Sequence, residues 1–294
     1  MKKNAETIRR IGLLAHFEKR SSRNVVREAA ELIARAGRVA VAEAQTARMA
    51  GLDCATFDDP AALAAQADLL LVFGGDGSML RTIRETNGSG TPILGINLGR
   101  LGFLTAISDK NIADGLEKLW RDDFVIESRP LVEATGQCQS QPILMTALND
   151  IVISRGAVSR LIELEVSVNE KYLTCYRGDG LVLCTPTGST AYSLSAGGPI
   201  ISPSAEVFAI TPICAHALSN RAVIISSSSV VSVKLLSKEM ETIMAADGQI
   251  QANLSGGDTV TIRRSPRVAR LLHPGETTFF DTVRQKLHWR GSSV

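Results

Sequence analysis

Residues 69–80, Leu-Leu-Leu-Val-Phe-Gly-Gly-Asp-Gly-Ser-Met-Leu, limit what this chain can fold into more than any other segment. An apolar run, Leu69 to Phe73, stops abruptly at Gly74-Gly75-Asp76-Gly77, and a stretch with helical character follows. Buried strand, glycine turn and helix start together make a phosphate cradle. Glycine lets backbone and ligand come close, and the N–H groups at a helix start favour an anion. Asp76 does not fit a passive cradle, because a carboxylate among phosphates repels them unless it binds a metal or takes a proton. The segment therefore predicts phosphate chemistry with a built-in base.

The flanking pattern extends this strand into a sheet. Ile8–Ala15, Val39–Ala42 and Pro92–Asn97 read as strands; Asn24–Ala36, Ala61–Ala67 and Met79–Glu85 read as helices, the first stopped by Gly37. Strands alternating with helices predict a parallel, Rossmann-like α/β sheet with ligands at the carboxyl ends of its strands. Near residue 125 the pattern changes. Ile162, Leu164, Val166 and Val168 alternate with Glu163, Glu165, Ser167 and Asn169, the period of a strand with one wet face. Asn169-Glu170-Lys171 turns this strand into Tyr172–Tyr176. Short β-like runs follow at Leu181–Cys184, Val223–Ile225, Val230–Leu235, Thr242–Ala246, Val260–Arg263 and Val268–Leu272. This half reads as a β-rich, sandwich-like domain. The expected division is an α/β domain over 1–125, a β-rich domain over 126–275, and a helical tail over 276–294 that packs back on the first domain.

A length of 294 residues favours two domains over one core. A formal net charge of +2 argues against a nucleic-acid binder driven by bulk charge. No apolar run approaches the roughly 20 residues that span a bilayer, and Met1–Glu6 lacks the apolar core of a signal peptide. The five cysteines (Cys54, Cys138, Cys175, Cys184, Cys214) contain no Cys-x-x-Cys pair and read as buried reduced thiols of a cytoplasmic protein. The four histidines are too dispersed for a His-based metal site.

Four segments carry candidate chemistry. The glycine loop lacks the lysine and spacing of a Walker A sequence, and also the G-x-G-x-x-G of a hydride-transfer fold. Asn149-Asp150 offers an amide and a carboxylate at a strand edge, able to bond sugar hydroxyls, although an ordinary turn has the same composition. Tyr176-Arg177-Gly178-Asp179-Gly180 precedes a strand and then Thr185–Gly198, dominated by Thr, Ser, Gly and Ala. Hydroxyls and backbone amides there suit a phosphate or a polar ring, while Arg177 can pair with a phosphate and Asp179 can accept from a ribose or a ring amine. Ala246-Asp247-Gly248-Gln249 is fully explained by a hairpin turn.

In this order the segments resemble the NAD kinases. The family pattern is matched by GGDGS at 74–78, ND at 149–150, GDGLVLCTPTGSTAYSLSAGGPI at 178–200, TPICAHALSNR at 211–221 and DGQ at 247–249. The tail Val283-Arg284-Gln285-Lys286-Leu287-His288-Trp289 matches too, and the likeness is greatest to enzymes of Gram-negative bacteria. The resemblance implies transfer of a phosphoryl group from ATP to the 2′-hydroxyl of the adenosine ribose of NAD, giving NADP. It implies Asp76 as the base, Gly74, Gly75, Gly77 and Ser78 as the phosphate loop, and a divalent cation, Mg²⁺ above others, on the donor phosphates rather than on dedicated protein ligands. Asn149 and Asp150 match the pair that holds the acceptor ribose. Asp179 and Thr190, Ala191, Tyr192, Ser193, Leu194 and Ser195 match adenine and nicotinamide contacts, with Asp76, Gly77, Arg160, Arg177 and Gln249 at further contact positions. NAD and ATP are the implied partners, with no nucleic acid and no membrane, in a cytoplasmic homodimer or homotetramer.

Two positions depart from the commonest pattern, and a third, Arg177, is informative in a different way. Ser78 replaces a frequent Thr and keeps the hydroxyl, and Asp150 replaces a frequent Glu and shortens the reach by one methylene. Arg177 stands where relatives that also phosphorylate NADH have a small residue, so a preference for NAD over NADH is expected. Lipid and sugar kinases with GGDG-type or GGDD-type loops are the competing enzymes, and the Thr190–Ser195 run argues against them. A non-catalytic NAD-binding protein would keep Asn149, Asp150 and Asp179 without needing the loop carboxylate.

Overall fold

The apolar run at 69–73 sits inside a parallel sheet, every one of its side chains fully buried. The computed structural model describes residues 5–15, 22–86, 88–99, 102–138, 141–157, 160–217, 219–238, 241–275 and 278–289. The chain divides into two units, 1–128 with 269–294, and 129–268.

In the first unit, strands β1 (Arg10–Ala15), β2 (Val39–Glu43), β3 (Ala55–Phe57), β4 (Leu69–Gly74), β5 (Ile93–Asn97) and β6 (Ile107–Ser108) pair in parallel in the order β3-β2-β1-β4-β5-β6. This doubly wound order reverses direction between β1 and β4, where open α/β sheets bind ligands at the strands' carboxyl ends. Helices α1 (Ser22–Arg35), α2 (Ala44–Ala50), α3 (Pro60–Gln66), α4 (Asp76–Glu85) and α5 (Ile112–Trp120) alternate with the strands. Helix α3 starts cleanly because the Asp59 side chain accepts from the Ala62 N–H and Pro60 opens the first turn. Ile11, Leu13, Val26, Ile33, Leu71 and Leu116 share its core. Two helices, α2 and α5, escape the sequence reading: α2 has no side-chain cap, and Gly115 interrupts the helical signal of α5.

The second unit is a sandwich of antiparallel strands. One sheet runs β11 (Lys171–Gly178), β10 (Ile162–Val168), β15 (Val231–Leu235), β18 (Thr259–Pro274), β7 (Phe124–Cys138), β8 (Gln141–Ala147). The other runs β14 (Val223–Ser226), β13 (Val207–Ile213), β12 (Gly180–Cys184), β9 (Asp150–Arg155), β16 (Thr242–Ala246), β17 (Ile250–Leu254). Their inner faces meet in one core, with Ile151, Phe208 and Met244 from one sheet against Leu164, Val233 and Val260 from the other. The expected alternation holds on β10, whose Ile162, Leu164 and Val166 are buried while the intervening residues are half-buried. Val260–Arg263 and Val268–Leu272, read as two strands, belong to the single strand β18. Pro266 lies between the residues that pair with β15, which end at Ile262, and the one that pairs with β5, Leu271. The tail forms helix α7 (Phe279–Lys286), started by a reciprocal capping box between Thr278 and Asp281, and it belongs to the first unit. Of the cysteines, Cys138 and Cys184 are buried, Cys54 and Cys175 half-buried, and Cys214 exposed, a departure from the expectation that all are buried.

The hairpin between β10 and β11 carries Asn169 at φ +49° and Glu170 at φ +64°. Asn169 tolerates this conformation and uses its side chain to accept from the Val230 N–H at 2.9 Å. Glu170 keeps a Cβ in the left-handed region. Glu170→Gly should stabilise the protein by about 0.5–1 kcal/mol, relief of strain exceeding the entropy glycine adds to the unfolded chain. Thermal unfolding should shift up by roughly 1–3 °C; a lowered midpoint would mean that the Glu170 side chain does more for the turn than its backbone costs.

Candidate active site

Gly74 ends β4, Gly75 is the N-cap of α4, and Asp76 is the first helical residue. Beyond the chain neighbours and the helix's own backbone, nothing lies within 4 Å of where a Cβ of Gly75 or Gly77 would stand, so packing does not demand glycine there. The open space lies beside the N–H groups at the start of a ten-residue helix, the side that attracts anions. Ser78 is half-buried one residue further, its Oγ beside Gly74. Asp76 is half-buried, and its two carboxylate oxygens each accept a backbone N–H: Oδ2 from Phe103 at 2.8 Å, Oδ1 from Leu104 at 3.0 Å. Gly102 makes this possible. A Cβ there would fall 2.0 Å from Asp76 Oδ1, so only glycine lets the loop after β5 lie on the carboxylate.

In the second unit the structure gathers Asn149, Asp150, the Thr185–Thr190 segment and the Asp247–Gln249 turn. Thr185 N–H donates to Asn149 O at 2.9 Å, and Thr185 Oγ1 donates to Leu148 O at 2.5 Å. Gly188 presses so closely on Asn149 that a Cβ would lie 2.0 Å from the Asn149 carbonyl oxygen. Asp247 organises the group. Its carboxylate accepts the N–H of Leu148 at 3.0 Å, of Asn149 at 2.7 Å and of Asp150 at 3.3 Å, while its own N–H donates to Asp150 O at 3.1 Å. Asp150 is 4% exposed. Burial, and then the neighbouring Asp247 charge, push its carboxyl up to about 7. Asn149 is half-buried and Gln249 exposed.

Between β12 and β13 the chain runs through a short 3₁₀ turn (Thr187–Thr190) and the four-residue helix α6 (Tyr192–Ser195). Thr190 and Ala191 are half-buried, as is Leu194; Tyr192 and Ser195 face outward. Ser193 is fully buried and shares a hydrogen bond with Thr211 Oγ1 at 3.0 Å, so it anchors the segment rather than offering its hydroxyl to solvent.

Asp179 stands apart from Asn149 and Asp150 within this unit. It forms the corner where the chain leaves β11 for β12, and its Oδ1 accepts from Arg155 Nε at 2.6 Å. Because Cys184 pairs with Asp150 and Gly180 with Ser154, the Asp179 corner lies at the opposite end of the β9–β12 ladder, about 13 Å away along the strand. Arg177 is exposed on β11, 3.7 Å from Glu163, and Arg160 is exposed in the connection before β10. Near this corner a cavity of ≈ 330 Å³ is lined by Gly197, Thr211, Pro212, Cys214, Asn220 and Arg221. Three groups were missed as site components: the Phe103–Leu104 amides, the Asp247 carboxylate, and the Arg155 partner of Asp179. The Asp-Gly-Gln and Thr-Pro-Ile-Cys segments were legible as family motifs, but nothing local says that an aspartate in a hairpin turn will bind a distant backbone.

A family model described as the ATP-NAD kinase N-terminal domain matches residues 11–124, and one described as the ATP-NAD kinase C-terminal domain matches residues 148–273. A curated relative named NAD kinase, from Syntrophotalea carbinolica, is 38% identical over 96% of this chain and 99% of its own length. Among solved structures, yeast NADH kinase complexed with NADH superposes with a TM-score of 0.89 at 25% identity, over 98% of this chain and 89% of that one. An NAD kinase from Archaeoglobus fulgidus in complex with ATP gives 0.73 at 25% identity, over 96% and 100%. The chain belongs to the ATP-NAD kinase family. It is an enzyme that phosphorylates NAD to NADP with ATP.

Proposed function

We propose that Asp76 is the general base of this reaction, taking the proton of the 2′-hydroxyl of the adenosine ribose of NAD as that oxygen attacks the γ-phosphorus of ATP. The observation that carries the reading is the Asp76 carboxylate, placed at a helix start beside two unobstructed glycines and aimed by two backbone amides. Each oxygen accepts one N–H and keeps a second lone pair, so the group can be held in one orientation and still receive a proton. Phosphoryl transfer depends mainly on position and on charge neutralisation. Gly74, Gly75 and Gly77, with Ser78, form the phosphate loop in this reading, and its exposed N–H groups receive phosphate oxygens.

Asn149 and Asp150 hold the acceptor ribose, and Asp247 fixes both by their backbones. Thr190, Ala191, Tyr192, Leu194 and Ser195, with Gln249, Asp179, Arg177, Arg160 and Gly77, supply the remaining contacts to NAD, and buried Ser193 anchors their segment on Thr211. The separation of Asp179 from Asn149 suits a long, two-ended ligand better than a compact one. Exposed Arg177 is the position at which we expect NAD to be favoured over NADH. A divalent cation, Mg²⁺ above others, rides on the donor phosphates and neutralises their charge. Such an ion retains several waters and needs only one or two protein carboxylates. No described helix is long and apolar enough to cross a membrane. The family resemblance supports a cytoplasmic homodimer or homotetramer, which light scattering on the purified protein would decide.

The decisive assay couples NADP formation to a dehydrogenase specific for that product. With ATP and Mg²⁺, NADP should accumulate; EDTA in excess should abolish it, and Mg²⁺ added back should restore it. Full activity in EDTA would remove the metal from the reaction. Labelled ATP that marks a lipid or a sugar phosphate but not NAD would overturn the acceptor assignment.

A further inference from the structure

The two amides that hold Asp76 belong to the loop after β5, which is secured in different ways at Leu104 and at Phe103. On the carboxyl side Leu104 is buried and the Ala106 N–H donates to Gly95 O of β5 at 2.9 Å. At Phe103 the loop is gripped by the C-terminal helix. The Phe279 ring lies 6.5 Å from the Phe103 ring, tilted by 43°, and Lys286 Nζ stands 5.6 Å from the centroid of the same ring. Phe279, Val283 and Lys286 are spaced i, i+4 and i+7, one stripe of α7, and Val283 is the helix's one fully buried side chain. The capping box fixes Phe279 at the first helical position.

We propose that α7 is a positioning element for the base: its Phe279–Val283–Lys286 stripe holds Phe103, and through the Phe103 and Leu104 amides it sets the orientation of the Asp76 carboxylate. The inference rests on Asp76 being the base. Phe103 and Phe279 are positioning residues; neither exchanges a proton. A tail helix with a single fully buried side chain is docked shallowly, so the base's orientation depends on one of the least secured elements of the first unit. Loss of the Phe279 ring removes an aromatic packing partner from Phe103. The loop then shifts, and a displacement of about 1 Å at a reacting group is enough to cost up to about a hundredfold in rate.

The test is a double-mutant cycle in the full-length protein. Phe279→Ala should lower kcat by about tenfold with KM for NAD unchanged within about twofold, and Phe279→Tyr should restore most of it. In an Asp76→Asn background Phe279→Ala should cause no further loss, because the group it orients is gone. Hydrogen exchange at the Phe103 and Leu104 amides should accelerate at least about tenfold in Phe279→Ala while β4 and α4 keep their protection. Additive losses in the cycle, unchanged exchange at both amides, or a raised KM with unchanged kcat would each overturn the proposal. Should Phe279→Ala fold poorly, the same exchange and rate measurements on Lys286→Met, with a loss of about twofold expected, decide the matter. The two readings fail differently. Undiminished turnover in Asp76→Asn removes the base, whereas a crippled Asp76→Asn beside an unaffected Phe279→Ala removes only the role of α7.

Discussion

Asp76→Asn is expected to lower turnover by about two orders of magnitude or more, while the dissociation constant for NAD stays within a few-fold. General base catalysis by a positioned side chain contributes roughly 10²–10⁴ in rate, and asparagine keeps the shape of the group without its basicity. The substitution is not silent structurally. The Phe103 and Leu104 N–H groups both donate to this side chain, one to each oxygen. An asparagine offers an acceptor to one of them and turns its own NH₂ toward the other, leaving a donor facing a donor. Such a mismatch costs about 1–3 kcal/mol, so the melting temperature should fall by several degrees, at roughly 2–4 °C per kcal/mol for a chain of this size. Rate and NAD affinity, both measured well below the transition, separate the chemistry from this loss. If turnover survives, Asp76 is not the base. If NAD affinity collapses with it, Asp76 acts in binding.

Much of this is legible in the amino-acid sequence. Leu69–Phe73 could be read as a buried strand because five consecutive apolar residues have no other economical place in a polar-faced chain, and the glycines that follow could be read as a turn because few other residues follow so sharp a reversal. What the local sequence leaves out is long-range partnership. Asp247 looks like any aspartate in a hairpin, and its φ of +49° suits that reading; that it also gathers the amides of residues 148–150 depends on β16 pairing with β9, a contact about a hundred residues apart. The Phe103–Leu104 amides are invisible for the same reason, since backbone donors have no residue signature. Ser193 shows the converse. A hydroxyl in a Ser- and Thr-rich run reads as a ligand contact, yet it is spent internally on Thr211. Sequence composition locates polar groups but does not reveal which way they turn. The alternation on β10 was readable because one face meets the core, whereas β7 was not, its 15 residues mixing Pro130, Gly136 and charges with the apolar positions.

Asp150→Asn should make the protein more stable in mild alkali and less able to bind NAD. The folded carboxyl is raised from 3.8 to about 7, first by burial and then by Asp247, while in the unfolded chain it titrates near its ordinary value. Between these values the folded state holds a proton that the unfolded state has lost, so ΔG of unfolding falls as pH rises, by about 1.4 kcal/mol per pH unit. The stabilising contribution is complete below about pH 4 and gone above about pH 7. Three units correspond to something on the order of 4 kcal/mol, which the neutral amide of asparagine would recover. The difference in stability between variant and parent should therefore open from about pH 4, widen to about pH 7 and then level off. Urea melts at pH 5, 6, 7 and 8 measure it directly; a difference independent of pH would show that Asp150 is not held protonated. Function predicts the opposite sign. A ribose hydroxyl donating to Asp150 favours the ionised carboxylate, so NAD binding should release a proton near neutrality and should tighten by up to about tenfold from pH 6 to pH 8. Calorimetry in buffers of different ionisation enthalpy counts that proton. Both the release and the pH dependence should vanish in Asp150→Asn, and their persistence there would assign them to another group. With Asp150 at the acceptor ribose, as proposed, the enzyme keeps a carboxylate that the fold alone would rather see neutral, and a ribose hydroxyl would offset part of that cost on binding.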